Sequence, residues 1–294
     1  MGEMPQKEAN RRVGMARTHE TMASMAWRRF RRHPGAIAGM IVLGAIVLAS
    51  LLAFLSPYNP VESNIPERLQ PPSLQHPFGT DQLGRDLLTR CLYGGRISLM
   101  VGFLAVTISM TIGIPIGSVA GYFGGWIDNV LMRITDAMLA LPSLMVLILL
   151  SAILREIEVP FLKQNNVLTI ALVIGILSWM SVARLVRATY LTVREFEFVT
   201  AANCLGAGNL RIMSRHILPM AMGPIIVEAT LEMGYAIMEE AGLSFLGFGI
   251  MPPTPSWGNL LSNALEHMLK QPWLAIFPGL MIFLTIISIN YIGD

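Results

Sequence analysis

The sequence predicts an all-α integral membrane protein with six transmembrane helices, and three observations carry that prediction. Of its 294 residues 53% are hydrophobic and only 14% charged, where a soluble domain carries about a quarter charged. The mean hydropathy is +0.57. Six apolar runs reach the length of about 20 residues that a helix needs to cross a bilayer, at 36–55, 97–121, 134–154, 167–189, 217–239 and 272–292. These runs are continuously apolar rather than alternating, which argues against barrel strands. A helix also satisfies its own backbone groups in lipid, so each run is read as a helix.

The elements follow in order. Residues 1–35 read as a basic cytoplasmic tail ending in Arg28, Arg29, Arg31 and Arg32; the tail is too long, and lacks the small-residue cleavage site, for a secretory signal. With the N-terminus inside, the segments before 36, at 122–133 and at 184–216 hold 14 of the 21 Lys and Arg residues. That bias agrees with the positive-inside rule, so the arginines are read as topology signals rather than as a nucleic-acid site. The first span, 36–55, leads into an external loop over 56–95. Its prolines keep the early part extended, and from Asp81 the spacing of Leu83, Leu87, Leu88 and Leu92 predicts an amphipathic helix lying at the membrane surface. Residues 96–294 hold the other five spans, a polar loop at 195–216, and a second external loop at about 240–271. There Gly242, Gly247 and Gly249 are expected to interrupt the helix leaving the fifth span. A further helix is expected from about Trp257, with Trp257 and Trp273 as interfacial anchors.

The inner loop is the most informative stretch. It reads EFEFVTAANCLGAGNLRIMSRHILP from Glu195 to Pro219, too polar for lipid and too regular for a mere connector. Phe198, Ala202 and Leu205 fall at i, i+4 and i+7, so a helix would present one apolar stripe. Gly206 is placed to end it, since glycine alone takes the left-handed C-terminal turn without penalty. A second helical start is expected at Asn209, and Pro219 marks entry to the next span.

Charges inside the spans are the other functional candidates. Glu228 and Glu232 lie one turn apart on one face of the fifth span, and an unpaired carboxylate in lipid costs about 2.5–3.5 kcal/mol on the insertion scale. They should therefore face a translocation path, where they would attract a cationic group such as a peptide amine, or an interhelical contact with a partner chain. Asp136 is expected to pair with Arg133 or a neighbouring chain. Glu239 and Glu240 are expected to be wet at the outer end. Gly113, Gly117 and Gly121 recur at helix-contact spacing. Cys91 and Cys204 fall on opposite sides and form no intramolecular disulfide. There is no nucleotide-binding glycine motif, no metal-spaced His or Cys set, and no nucleophile–base constellation, so no catalytic residue, metal or bound cofactor is expected.

Three motifs together resemble one family. GTDxLGRD in the first external loop, Ala201-Ala202-x3-Gly206 continuing to Leu218-Pro219, and LSFLGFG…PPTPSWGN in the second external loop look like the C-type permease of the dipeptide, oligopeptide and nickel ABC importers. The resemblance spans residues 76–294, with Thr200 in place of the usual Glu and His216 in place of Ile. The chain ends at Asp294, where such permeases continue with a short basic tail. The resemblance implies the type I importer permease fold with a cytoplasmic coupling helix, in a bacterial or archaeal inner or plasma membrane. It also implies a homologous B-type permease as heterodimer partner, two cytoplasmic ATP-binding subunits that hold ATP and Mg, an extracytoplasmic solute-binding protein, and surrounding membrane lipid. Coupling residues would be Phe198, Val199, Ala201, Ala202, Leu205, Gly206 and Arg211. Peptide is the implied cargo, with nickel, glutathione and oligosaccharide as alternatives in the same family and an ATP-independent secondary transporter or channel as the rival class.

Overall fold

A computed structural model of the chain describes residues 33–156 and 165–293; the basic cluster at Arg28–Arg32 lies outside the described residues. Helix α1 spans Pro34–Leu51 and is set by its first turn. Pro34 sits where a missing N–H costs nothing, and His33 Nδ1 accepts from the Ala36 amide at 3.1 Å. Helix α2, Leu87–Phe123, is 37 residues long, about 55 Å at 1.5 Å per residue, against a hydrocarbon core of about 30 Å. Its first turns therefore stand outside the apolar layer. The separate surface helix expected over the leucines from Asp81 is in fact the start of α2: Leu83 lies before the helix and is exposed, whereas Leu87 and Cys91 are buried against Leu260, Ala264 and Leu274.

The third span departs from expectation. Instead of one helix over 134–154, the chain forms α3, Gly125–Leu139, and α4, Ser143–Glu156, bent by 85° at the break. Pro142 follows Leu141, and a proline disfavours helical geometry at the residue before it and supplies no amide of its own. Helix α5, Asn166–Val193, is followed by the short α6, Glu197–Cys204. The chain then re-enters the membrane through a helical turn at Asn209–Arg211, a π-helical turn at Ile212–Ile217 and α7, Leu218–Phe245. Leu218 N–H reaches back to Met213 O. Pro219 has no amide to offer the carbonyl four residues back, which lets the ladder loosen there. Helices α8, Trp257–Ala264, and α9, Trp273–Gly293, complete the chain. Among the described residues five helices are long and apolar enough to cross a membrane, and the bent α3–α4 pair supplies a sixth crossing if it counts as one broken span.

The broadest helix contact joins α2 to α5, and glycine makes it possible. A Cβ built at Gly113 would meet Val182, one at Gly117 the Ala183 carbonyl, and one at Gly121 Tyr190 and the Arg187 carbonyl. With no hydrophobic drive between helices in lipid, such backbone approach is what association rests on. Helix α1 packs on α9 in the same manner, with Gly39 against the backbone of Ser288.

On the side opposite α6 the motifs at residues 76–90 and 240–264 fold into a hydrogen-bonded platform. Asp81 Oδ1 accepts the amides of Leu83 at 2.9 Å and Arg85 at 3.0 Å, while its Oδ2 accepts from the Arg85 guanidinium. Asp86 caps α2 through the Thr89 amide at 2.7 Å and accepts from His76 at 2.9 Å, if the ring carries its proton there. Ser256 and Asn259 form a reciprocal capping box on α8. Trp257, expected at the membrane interface, is instead fully buried and donates to the Cys91 carbonyl at 2.9 Å. Trp273 opens α9 and is partly buried. Gly242 stays within α7; the break comes at Gly247, where φ is +83°.

Gly117→Val should lower the stability of the detergent-solubilised protein by about 1–3 kcal/mol through overpacking of the α2–α5 seam. Gly44→Val, at a position with open space within 4 Å, should leave it unchanged; thermal unfolding monitored by size exclusion compares the two.

Candidate functional site

The loop between α5 and α7 is built from its caps. Phe196 is the extended residue before α6, and its own amide is held by the Val193 carbonyl at 3.1 Å. At the other end Gly206 takes φ +76°. Its amide donates to Asn203 O at 2.9 Å, and the Ala207 amide to Ala202 O at 3.1 Å. This pair of reversed bonds is a Schellman closure, so the glycine predicted to stop the helix does so by that mechanism. Asn209 then starts the next helical turn as expected.

The helix divides its side chains differently from the expected single stripe. Val199 is 2% exposed and Ala202 is also buried, both packed with Tyr190, Val193, Ile212 and Ile217. Phe198 is partly exposed, Ala201 is exposed, and Leu205 is 88% exposed. Leu205 is the residue on which the helix ends, so the reversal at Gly206 swings it away from the face that Ala202 shares. Two further outward apolar residues went unassigned in the sequence. Phe196 is exposed and packs edge-on against Phe198, with ring centroids 5.9 Å apart, and Leu210 is 79% exposed. An aromatic just before a helix and a leucine just after a Gly-x-Gly turn were the available signals. Arg211 and Arg215 are exposed beside this surface.

The loop is bolted to the membrane helices. Tyr190 of α5 donates to Met213 O at 3.1 Å, and Tyr122 of α2 to Asn209 at 3.0 Å. Arg194 Nη1 donates to the Gly121 carbonyl at 3.1 Å, closing the end of α2. Arg187 binds both carboxylate oxygens of Asp128, one at 2.5 Å, tying α3 to α5. Asp136 pairs with Arg184 at 2.5 Å rather than with Arg133. The turns that follow α6 are thus bonded to α5 and α2, and α5 in turn to α3.

Glu228 and Glu232 do share a face of α7; Glu228 is half-buried and Glu232 is 7% exposed within this chain alone. Neither has a hydrogen bond or ion pair among the described residues. Glu239 and Glu240 are not both wet. Glu239 is half-buried, and Glu240 is fully buried, accepting from Ser98 and Ser244 at 2.7 Å each. Ser98 in turn accepts the Trp257 amide at 3.3 Å, so this acid holds the platform to α2 and α7. Burial of a carboxylate needs such donors; Ser244 stands one turn on in the sequence, but Ser98, 142 residues away, could not be read from it.

Comparison with known proteins now bears on this geometry. Residues 113–294 match the family model of the binding-protein-dependent transport system inner membrane component, and residues 21–72 match the N-terminal TM domain of oligopeptide transport permease C. The chain is 43% identical over 270 residues to the dipeptide transport system permease protein DppC of Alkalihalophilus pseudofirmus, covering 92% of this chain and 86% of that one. It is 38% identical to the glutathione transport system permease protein GsiD of Pectobacterium atrosepticum, covering 91% and 87%. The inward-facing MetNI methionine ABC transporter matches with a TM-score of 0.56 at 17% identity, over 69% of this chain and 93% of that one; this likeness concerns the fold.

Gly206→Ala should strain the closing turn by about 1–2 kcal/mol and speed hydrogen exchange at the Gly206 and Ala207 amides roughly tenfold. Gly208→Ala, with φ −67° and open space around it, should leave both amides as they are.

Proposed function

Because the chain belongs to the family of binding-protein-dependent transport inner membrane components, and is the permease subunit of an ABC importer, we propose that it carries peptides across the inner membrane. Relatives named for dipeptide and di/tripeptide transport support that cargo; nickel, glutathione and oligosaccharide are the alternatives, and one relative is named for glutathione transport. The chain itself performs no chemistry. ATP and Mg sit on two cytoplasmic subunits, a B-type permease completes the pathway, and a solute-binding protein delivers cargo at the platform side. The N-terminus and α6 face the cytoplasm, consistent with the basic residues gathered there.

The single observation that carries this mechanism is the outward apolar surface of Phe196, Phe198, Leu205 and Leu210 on and around a short helix whose loop is bonded to α5 and α2. Such a surface suits a helix-in-groove contact, with Arg211 reaching acidic groups at its rim and Ala201 allowing close approach. Val199, Ala202 and Gly206 act from beneath, holding the lever's shape. Closure of the ATPases on ATP would move α6 and shift the bundle between outward- and inward-facing populations.

Phe198→Asp with Leu205→Asp should leave membrane insertion intact and reduce recovery of the ATPase subunits in a mild-detergent pull-down by tenfold or more, since truncating or charging a buried interface anchor costs about 2–4 kcal/mol. Undiminished recovery with full ATP-driven import overturns the lever assignment. Glu228 and Glu232 are proposed to attract the cargo's terminal amine. Glu232→Gln should then lower import of free-amine dipeptides about tenfold, a charged hydrogen bond being worth about 1.5–3 kcal/mol, while sparing N-acetylated ones. Equal loss for both cargos would make these residues structural.

A further inference from the structure

A groove of about 610 Å³ runs between α1 and α2, floored by Met233 of α7. Leu43, Val47 and Leu51 form one wall and Leu99, Met100 and Phe103 the other. Its sides open outward where Val47, Leu51, Met100 and Phe103 are exposed. The volume falls within the about 300–1,000 Å³ of ligand sites, yet the lining is nearly all hydrocarbon.

One charge stands at its rim. Arg96 is exposed and lines the groove, with its guanidinium 5.6 Å from the centroid of the Tyr93 ring. Among the described residues it has no hydrogen bond or ion pair, and it is the one charged side chain that lines the groove. Its depth is defined by the sequence: the apolar run of the second span starts at the next residue, Ile97. Arg96 therefore sits at the boundary between headgroups and hydrocarbon on the side opposite α6, and Tyr93 beside it is a residue type favoured at that level. From Arg96 to Phe103 the groove descends seven residues of helix, about 10 Å into the apolar layer.

We propose that this groove binds one phospholipid of the leaflet opposite α6, its phosphate on Arg96 and an acyl chain lying between α1 and α2. An exposed arginine at a membrane boundary can exchange water for a lipid phosphate, a charge-assisted and bidentate contact. A single cation on a mostly apolar groove matches a molecule with one anionic head and an apolar tail. A partner-permease helix would fill the slot but leave the guanidinium to find its own acceptor. A peptide carboxylate would satisfy Arg96 but bring a polar backbone into a slot with little to bond it. The inference stands independently of the cargo.

The test uses the importer complex as purified in mild detergent and depleted of lipid, read by native mass spectrometry with phosphatidylglycerol or, separately, diacylglycerol added. Phosphatidylglycerol should be retained and diacylglycerol should not. Arg96→Gln should reduce retention about tenfold, the scale of a lost charge-assisted hydrogen bond, and Arg96→Lys should restore most of it. A photoactivatable acyl chain should label peptides containing Met100 or Phe103. Equal retention by Arg96→Gln, or labelling confined to other helices, overturns the proposal. So does a disulfide from Met100→Cys to the second permease, which would show protein in the groove, or an Arg96→Gln variant with unchanged lipid and a raised KM for peptide, which would assign the arginine to cargo.

Discussion

Close approach of α2 and α5 across Gly113, Gly117 and Gly121 is the constraint from which the rest of this permease follows. Lipid removes the hydrophobic drive that would hold two apolar helices together in water, so contact must come from dispersion between backbones brought near enough to interdigitate. Val182, Ala183, Val186 and Tyr190 fill the space the absent side chains leave. The seam runs from Gly113 to Gly121, where the Arg194 guanidinium donates to the Gly121 carbonyl and the Tyr122 hydroxyl to Asn209 of the loop.

The opposite end is held by polar groups rather than by glycine contacts. Asp81, Asp86 and Glu240 each accept from several donors; the two aspartates close the first loop on itself, and Glu240 joins α7 to α2. Arg155 at the end of α4 donates to the carbonyls of Gly247 and Gly249 at 3.0 and 2.8 Å, so the broken third crossing is fastened to the platform. Buried polar clusters with their bonds satisfied specify a geometry more than they stabilise it. The consequence is a bonded cap at one end and a bonded loop at the other. The bent α3–α4 crossing is tied to α5 through Asp128 and Arg187 and to the cap through Arg155.

Much of the site was legible because local rules decide it. Gly206 was readable as a helix stop because a left-handed turn excludes most other residues, and the structure places φ +76° there. The spans were readable from the length of apolar runs, and the three glycines from their spacing. Outward and inward faces of α6 were not readable. Periodicity placed Phe198, Ala202 and Leu205 on one stripe, but which side of a short helix docks depends on Tyr190, Val193 and Ile212, brought there by other helices. The same limit hid Phe196 and Leu210 as surface anchors.

By itself, then, the sequence determined an all-helical membrane protein, the positions of its crossings and turns, and the family to which its motifs belong. Each of these depends on residues within a turn or two of one another, or on composition. Tertiary structure alone decided that α2 extends well past its apolar run and that the third crossing bends by 85°. It also decided that Trp257 and Glu240 are core residues rather than interfacial ones, and that Asp136 meets Arg184 rather than Arg133. The Trp257, Glu240 and Asp136 outcomes turn on partners dozens of residues away: a buried carboxylate or indole is tolerated only where distant donors and acceptors converge on it, and no local pattern announces that convergence.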